Sequence, residues 1–597
     1  MKKQAMAVIL SFALASMPMG VMAEEAPETP QAEEALVKET LDDAVVTTLT
    51  LGANEVLLYH PVPGRAELEP VGVSCTAPLF IVFGEGAFDA QSADAFAATT
   101  GLAELAKGEG SSIAFVNPVG DEWSEADAGA YEAVVGAIKD SSTNEMEDGI
   151  SSGVNFLSGM VEHGIVATAG RIYVYGVGAG ADAVASQALK PVLSTMTFPD
   201  GFSMTTNNSA TAVTVTGLTD VSLVEDNDLP VVSIGASEEV NQVLEEKCGI
   251  FLAEEEADYP AEYAALTGQY RRQNGVLLPM HNYEEEGIVS KVETYVVKTS
   301  PDNMTFPGTE EHEVHVVTYY AQDLDVENGN VPLVLCFHGG GNTALYEGQA
   351  TEWPEIGKEN GFITVAVDLH HPNVTATEMV ELIDQLKEAY SIDAGRIYAS
   401  GFSMGGCKSW ELFEQYPEVF AGLAPMDASN PPAIDSFNNP TEGVNEDVLV
   451  PVFYVAGETT PLPEMPKQDQ KLVDRIANLF AVNKVTTPYE VSFDAQDTWE
   501  DPIWGVSGEL IYAVTDQEAF TDSTMTVNLF PSEDGKYCTA LALAGNQSHE
   551  VYARNSWAAW DFLSQFSRAE DGSILINPVT YALAADDGSI TDNSYNQ

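Results

Sequence analysis

Positive charge is what this chain of 597 residues has least of: 24 Lys and Arg stand against 92 Asp and Glu, for a formal net charge of −68. Such a surface repels phosphate backbones and anionic lipid, so neither nucleic acid nor an anionic membrane is expected as a partner. Cysteine is scarce too: the five, at 75, 248, 336, 407 and 538, show no CxxC spacing, which argues against a zinc cluster or a dense disulfide framework. Cys336, inside an apolar run, and Cys407 read as small buried hydrophobes. Phosphate-binding loops ending in Lys, dinucleotide-binding glycine fingerprints and zinc-ligand sets are absent, so neither cofactor nor metal is expected. Beyond the first two dozen residues no apolar stretch is long enough to span a bilayer.

What is present begins with an export signature. Lys2 and Lys3 precede an apolar segment from Ala5 to Met19, and small residues up to Ala23 precede Glu24 and Glu25. Residues 1–23 are expected to be a signal peptide, giving a secreted chain with no membrane attachment after cleavage. Residues 24–44, rich in Glu, Ala and Pro, read as a flexible acidic leader. An apolar fraction of 45% is that of a globular protein, and the length calls for more than one core.

The remainder says the same thing twice. Ala169-Gly170-Arg171-Ile172-Tyr173 matches Ala394-Gly395-Arg396-Ile397-Tyr398, and Pro78–Phe83 matches Pro332–Phe337. Pro230–Gly235 likewise matches Pro451–Gly457, and Gln269-Tyr270-Arg271-Arg272 resembles Gln565-Phe566-Ser567-Arg568. Each matched piece is a continuous apolar run bounded by Gly or Pro, as in strands buried on both faces of a parallel sheet. Between them lie helix-period stripes such as Met379, Leu382, Ile383, Leu386 and Tyr390. The predicted fold class is α/β: two tandem α/β-hydrolase-like domains, residues 45–280 and 281–597, each a mostly parallel sheet covered by helices.

The two copies differ where chemistry would occur. Gly401-Phe402-Ser403-Met404-Gly405 follows a strand-like run and precedes a helix-like one, the order that exposes a serine hydroxyl on a sharp turn. The first copy has Gly178 in place of the serine, Gly84-Glu85-Gly86 in place of His338-Gly339-Gly340, and no histidine near Phe251–Glu255. The first domain is therefore expected to be catalytically dead. In the second, Ser403 is the candidate nucleophile, and the amides of Gly340 and Met404 are the candidate oxyanion donors. Of nine histidines only His549 follows Ser403, which makes it the candidate base, whereas His338 reads as a structural hydrogen-bonder. No Asp occurs in Gly457–Glu464, so the acid is sought first at Glu458, second at Glu464 and third at Asp427.

Other candidates read as background. His312-Glu313-Val314-His315 is one residue short of the zinc-protease spacing and is expected on the surface; His370 and His371 are expected in a loop. Trp499, Trp504 and Tyr512 could stack on a sugar or cinnamoyl ring, although core packing explains them as well.

Pro332–Asn342, Glu352-Trp353-Pro354, Gly361-Phe362-Ile363, Ile392–Tyr398 leading into Gly401–Gly406, Tyr416–Ala421 and Ala424-Pro425 together resemble the polyhydroxybutyrate depolymerase and feruloyl or acetylxylan esterase group of α/β-hydrolases. The resemblance spans residues 290–568. It implies secreted, cofactor-free cleavage of small or polymeric carboxylic esters, with Ser403 and His549 in the catalytic positions. That group's His-Gly-x-x-Asp after the seventh strand is Ala456-Gly457-Glu458-Thr459-Thr460 here, with Thr460 at the aspartate position. The rival expectations are a non-catalytic extracellular binding protein built from two degraded hydrolase folds, and a peptidase on the same fold.

Overall fold

Runs of β-branched and aromatic residues that are buried on both faces can satisfy their backbone only by pairing side by side under helices. The protein does this twice. The computed structural model describes residues 37–61, 78–109, 111–141, 170–197, 203–207, 209–273, 276–303, 306, 308–339, 343–369, 374–434, 440–441, 443–460, 462–515, 523–576 and 594–596. The expected signal peptide, Gly340, His370, His371 and Cys75 lie outside them. The chain divides after Met280 into two compact units.

In the first unit the large sheet has nine strands. Strands Ser112–Val116, Leu79–Phe83, Ile172–Val177, Ala212–Thr216, Pro230–Ile234 and Ile250–Glu254 run parallel in that spatial order. Three antiparallel strands extend it at the Ser112–Val116 edge. The outermost, Val37–Thr40, falls within the stretch read as leader; it pairs with Ala44–Leu51 because Val37 begins the β-prone run of that hairpin.

The second unit repeats the parallel order. Strands Ile363–Val367, Val331–Phe337, Ile392–Phe402, Gly422–Met426, Val452–Gly457 and Tyr537–Ala544 are parallel neighbours, within a sheet of ten. Antiparallel pairs close both ends: Ile288–Lys298 with Glu311–Ala321, and Leu510–Thr515 with Thr524–Pro531. Two large sheets, each flanked by helices, are the architecture of two α/β-hydrolase-like domains.

The likeness extends to single hydrogen bonds. The Tyr173 hydroxyl donates to the Tyr270 carbonyl in the first unit, and the Tyr398 hydroxyl to the Phe566 carbonyl in the second. Arg272 Nε donates to the Ala210 carbonyl and Arg568 Nε to that of Phe420, in each case two residues before a central strand.

Local sequence explains the helices that flank the site. Thr375 and Glu378 form a capping box on Ala376–Ala389, whose stripe of Met379, Leu382, Ile383 and Leu386 is wholly buried. The helix Met404–Gln415 is buried on every side, so its charges are paired: Lys408 with Glu411 at 2.6 Å, and Glu414 with Arg475, whose guanidinium lies over Trp410.

His312 and His315 are not on the surface, as expected from sequence, but 8% exposed. Their strand is second in the sheet, buried from Val314 onward, and each Nδ1 lies 3.0 Å from a threonine hydroxyl, Thr299 and Thr294 respectively. Cys248, Cys336, Cys407 and Cys538 are buried thiols. Among the described residues no helix is long and apolar enough to cross a membrane.

One buried acid gives the fold a pH signature. Glu347 is 1% exposed, its Oε2 meets no donor among the described residues, and burial holds its carboxyl well above 4.5. A value raised in the fold means that the contribution to stability is complete below the unfolded value and is lost as pH climbs towards the folded one. The slope is about 1.4 kcal/mol per pH unit for one proton. Glu347→Gln removes it, so the variant gains on the parent by about 1–3 kcal/mol between pH 5 and 7.5 in paired urea titrations. An equal difference at both pH values would refute a neutral Glu347.

Candidate functional site

The turn between Ile392–Phe402 and Met404–Gln415 carries Ser403 at φ 53°, ψ −115°, a conformation that costs a non-glycine residue about 1–3 kcal/mol. The flanking glycines make it sterically attainable. A Cβ on Gly405 would lie 2.1 Å from the Phe337 carbonyl oxygen, and one on Gly401 2.3 Å from that of Gly405. Ser403 is thereby held half-exposed above the sheet, where a reagent can meet it.

His549 sits in the loop between the strand Tyr537–Ala544 and the helix Ala553–Leu563. Its Nε2 is 2.8 Å from Ser403 Oγ and its Nδ1 2.5 Å from Glu464 Oε1. Phe402 packs on the imidazole with ring centroids 5.0 Å apart. Burial pushes the imidazole below 6.5. A base that stays neutral near pH 7 and touches a serine hydroxyl is poised to take its proton.

Of the three carboxylates weighed from sequence, Glu464 is the one on the imidazole. Glu458, the first choice, is exposed and turned to the His549 loop, where it accepts the Asn546 N–H at 3.0 Å. It follows its strand too closely for its side chain to turn inward. The chain instead continues through Thr460, whose hydroxyl donates to Glu464 Oε1 at 2.7 Å. Threonine at the aspartate position thus supports an acid that reaches back from four residues on. Asp427, after the strand Gly422–Met426, accepts the Gly457 N–H at 2.6 Å and Gln547 Nε2 at 2.9 Å. Burial holds both Asp427 and Glu464 well above the usual carboxylate range.

The strand end Val331–Phe337 brings His338 and Gly339 to the nucleophile turn. His338 is fully buried; Leu369 N–H donates to its Nε2 at 2.9 Å, which leaves Nδ1–H to donate to the Gly339 carbonyl at 2.8 Å. A Cβ on Gly339 would collide with Phe402 at 2.7 Å and approach Ser403 Cβ at 3.2 Å, so only glycine lets this loop close on the nucleophile. Met404 opens the helix after Ser403, where backbone N–H groups have no intrahelical acceptor.

The first unit keeps the turn without the chemistry. Gly178 holds φ 58°, ψ −124° at the same strand–helix junction, and the Glu85 side chain lies 3.2 Å from where its Cβ would be.

The remaining candidates separate by burial. Trp504 belongs to the core, Trp499 is half-exposed with Nε1 donating to the Ser492 carbonyl, and Tyr512 stacks on Tyr595. One group among the described residues has metal-ligand chemistry: His281, Glu286 and Glu355, with ligand atoms within 4.8 Å of one another. The carboxylates of Glu352 and Glu355 raise its imidazole to about 10, so it serves as a cation in an ion-paired cluster.

No protein-family model matches the chain. It is 30% identical over 133 residues to a bifunctional acetylxylan esterase/xylanase of Neocallimastix patriciarum, covering 20% of each protein. It is 30% identical over 116 residues to poly(3-hydroxyalkanoate) depolymerase C of Paucimonas lemoignei, covering 16% of this chain and 28% of that one. It is 26% identical over 129 residues to feruloyl esterase B of Thermothelomyces thermophilus, covering 19% and 43%. The chain thus spans less than half the length of each of these relatives. An acetyl xylan esterase of known structure, from Aspergillus awamori, aligns with 46% of this chain and 99% of its own at 13% identity and a TM-score of 0.30. The chain is distantly related to esterases of the α/β-hydrolase superfamily, without assignment to any one family within it.

Proposed function

We propose that the second unit is a serine carboxylic ester hydrolase working through an acyl-enzyme. The observation that carries this reading is the unbroken relay from Ser403 Oγ through His549 to Glu464. Ser403 attacks the ester carbonyl as His549 Nε2 takes its proton, while Glu464 holds the imidazole by Nδ1 and balances its charge. The amides of Met404 and Gly340 receive the tetrahedral oxyanion, each worth about 3–4 kcal/mol in the transition state. His549 then protonates the departing alcohol, and water, activated by the same imidazole, releases the acid and restores the serine.

The substrate class we propose is a polyester or an acetyl or feruloyl ester of plant cell walls, in line with the activities named for the three relatives. We further propose that the protein is secreted, on the strength of the charged and apolar pattern of residues 1–23, and that the first unit, lacking serine and base, is a catalytically silent copy from a tandem duplication.

The test is labelling by a fluorophosphonate probe, followed by turnover of nitrophenyl acetate, methyl ferulate, acetylated xylan and hydroxybutyrate oligomers. Stoichiometric labelling at Ser403 and hydrolysis of at least one ester are expected. A folded protein that neither labels nor turns over any of them would overturn the proposal in favour of a binding role.

A further inference from the structure

Glu464 does not face His549 alone. Its Oε1 is shared by His549 and Thr460, but its Oε2, inside a side chain 1% exposed, meets no N–H or hydroxyl donor among the described residues. A second buried carboxyl, that of Asp427, itself 0% exposed, lies close enough to Glu464 to interact with it. An acceptor without a donor and two carboxyls in one dry pocket have a common solution, which is a single proton between them.

We propose that Asp427 is a positioning residue that stays protonated and donates its hydrogen to Glu464 Oε2, so that the dyad carries one negative charge and presents it to His549. The proposal rests on the reading of Ser403, His549 and Glu464 as a catalytic relay. Asp427 is held for this task from three sides. It stands at φ 47° directly after the strand Gly422–Met426. One oxygen accepts the Gly457 N–H at the end of the next strand, and the other accepts Gln547 Nε2, two residues before His549. Gln547 is in turn fixed by Arg554 and Asn555, so Asp427 ties two strand ends to the base-bearing loop. The other titratable groups facing the dyad are Tyr454, whose hydroxyl donates to the Glu464 carbonyl, and Glu550, and neither neutralises a second charge. Burial, and after it the Glu464 charge, hold Asp427 well above the usual carboxylate range against the opposing pull of His549 and the Gly457 N–H.

The role predicts more than structural support. If Asp427 is neutral, Asp427→Asn keeps a donor and leaves the charge beside His549 untouched, at the loss of one of the two acceptors that hold Gly457 N–H and Gln547 Nε2. The acid limb of kcat/KM, set by His549, then stays within about 0.3 pH units of the parent. If Asp427 is ionised, the same change removes a charge near the imidazole and the limb drops by about one unit. Asp427→Ala, which removes the donor, is expected to lower kcat about a hundredfold with KM within about threefold, while Asp427→Asn loses less than about tenfold. A downward shift of the limb in Asp427→Asn, or a loss as deep as that of the alanine variant, would overturn the inference. Absence of turnover in the parent protein would instead defeat the hydrolase reading beneath it, so the two failures are distinguishable. Because Asn matches Asp in shape, a misfolded alanine variant leaves the pH comparison intact.

Discussion

Ser403→Ala lowers ester turnover by at least about 10⁴-fold while the protein remains folded, because serine and imidazole act as a unit and neither retains its role without the other. Alanine keeps the Cβ already accommodated in the strained turn, and the neighbouring contacts that demand glycine are at Gly401 and Gly405, not at 403. Binding of an ester analogue should survive, since what remains of the pocket is unaltered. The measurement is kcat on nitrophenyl acetate alongside thermal unfolding and probe labelling. A variant that keeps more than about a hundredth of the parent rate would move the nucleophile elsewhere and dismantle the relay as a catalytic device.

Glu464 and Glu458 make the second contrast. Glu464→Gln is expected to cost about 10³–10⁴ in kcat, because an amide on Nδ1 neither selects the required tautomer nor balances the imidazolium. Glu458→Ala is expected to change kcat by less than about twofold, since the lost hydrogen bond to Asn546 N–H is exposed and worth about 1 kcal/mol at most. Steady-state kinetics on the two variants decide between the carboxylates. The reverse ranking would restore the acid chosen first from sequence and leave Glu464 as a buried strut.

The two units share the turn and differ in the side chain it carries. The sharp turn at Gly178 has dihedral angles close to those of Ser403, and Gly180 meets the Phe83 carbonyl just as Gly405 meets that of Phe337, each at 2.1 Å from a hypothetical Cβ. The turn is demanded by strand–helix packing, so it persists whether or not a nucleophile rides on it. A nucleophile needs a base and an acid delivered from two distant loops, and at Gly178 the Glu85 side chain lies 3.2 Å from where a Cβ would stand.

Much of the molecule is written in short-range pattern. Continuous apolar runs between Gly and Pro specify strands covered on both faces, and the spacing of Met379, Leu382, Ile383 and Leu386 specifies the helix that covers one of them. Ser403 was legible because its turn needs glycines at fixed offsets, and His549 because no other histidine follows it. These signals work at a distance of a few residues, where sterics and periodicity leave little choice.

The acid was not legible in that way. With 92 acidic side chains, composition cannot separate a solvated carboxylate from a buried one, and the residue nearest the strand end looked best placed. Tertiary packing chose Glu464 over Glu458: only the path of the chain past Thr460 turns that side chain inward onto the imidazole. Packing likewise buried His312 and His315, through the Phe306 ring stacked on His312 and the threonine hydroxyls that meet both imidazoles. The serine on the sharp turn and the histidine that meets it thus follow from sequence, where steric rules are local, whereas the carboxylate that meets that histidine follows from long-range closure, which alone decides what is desolvated against what.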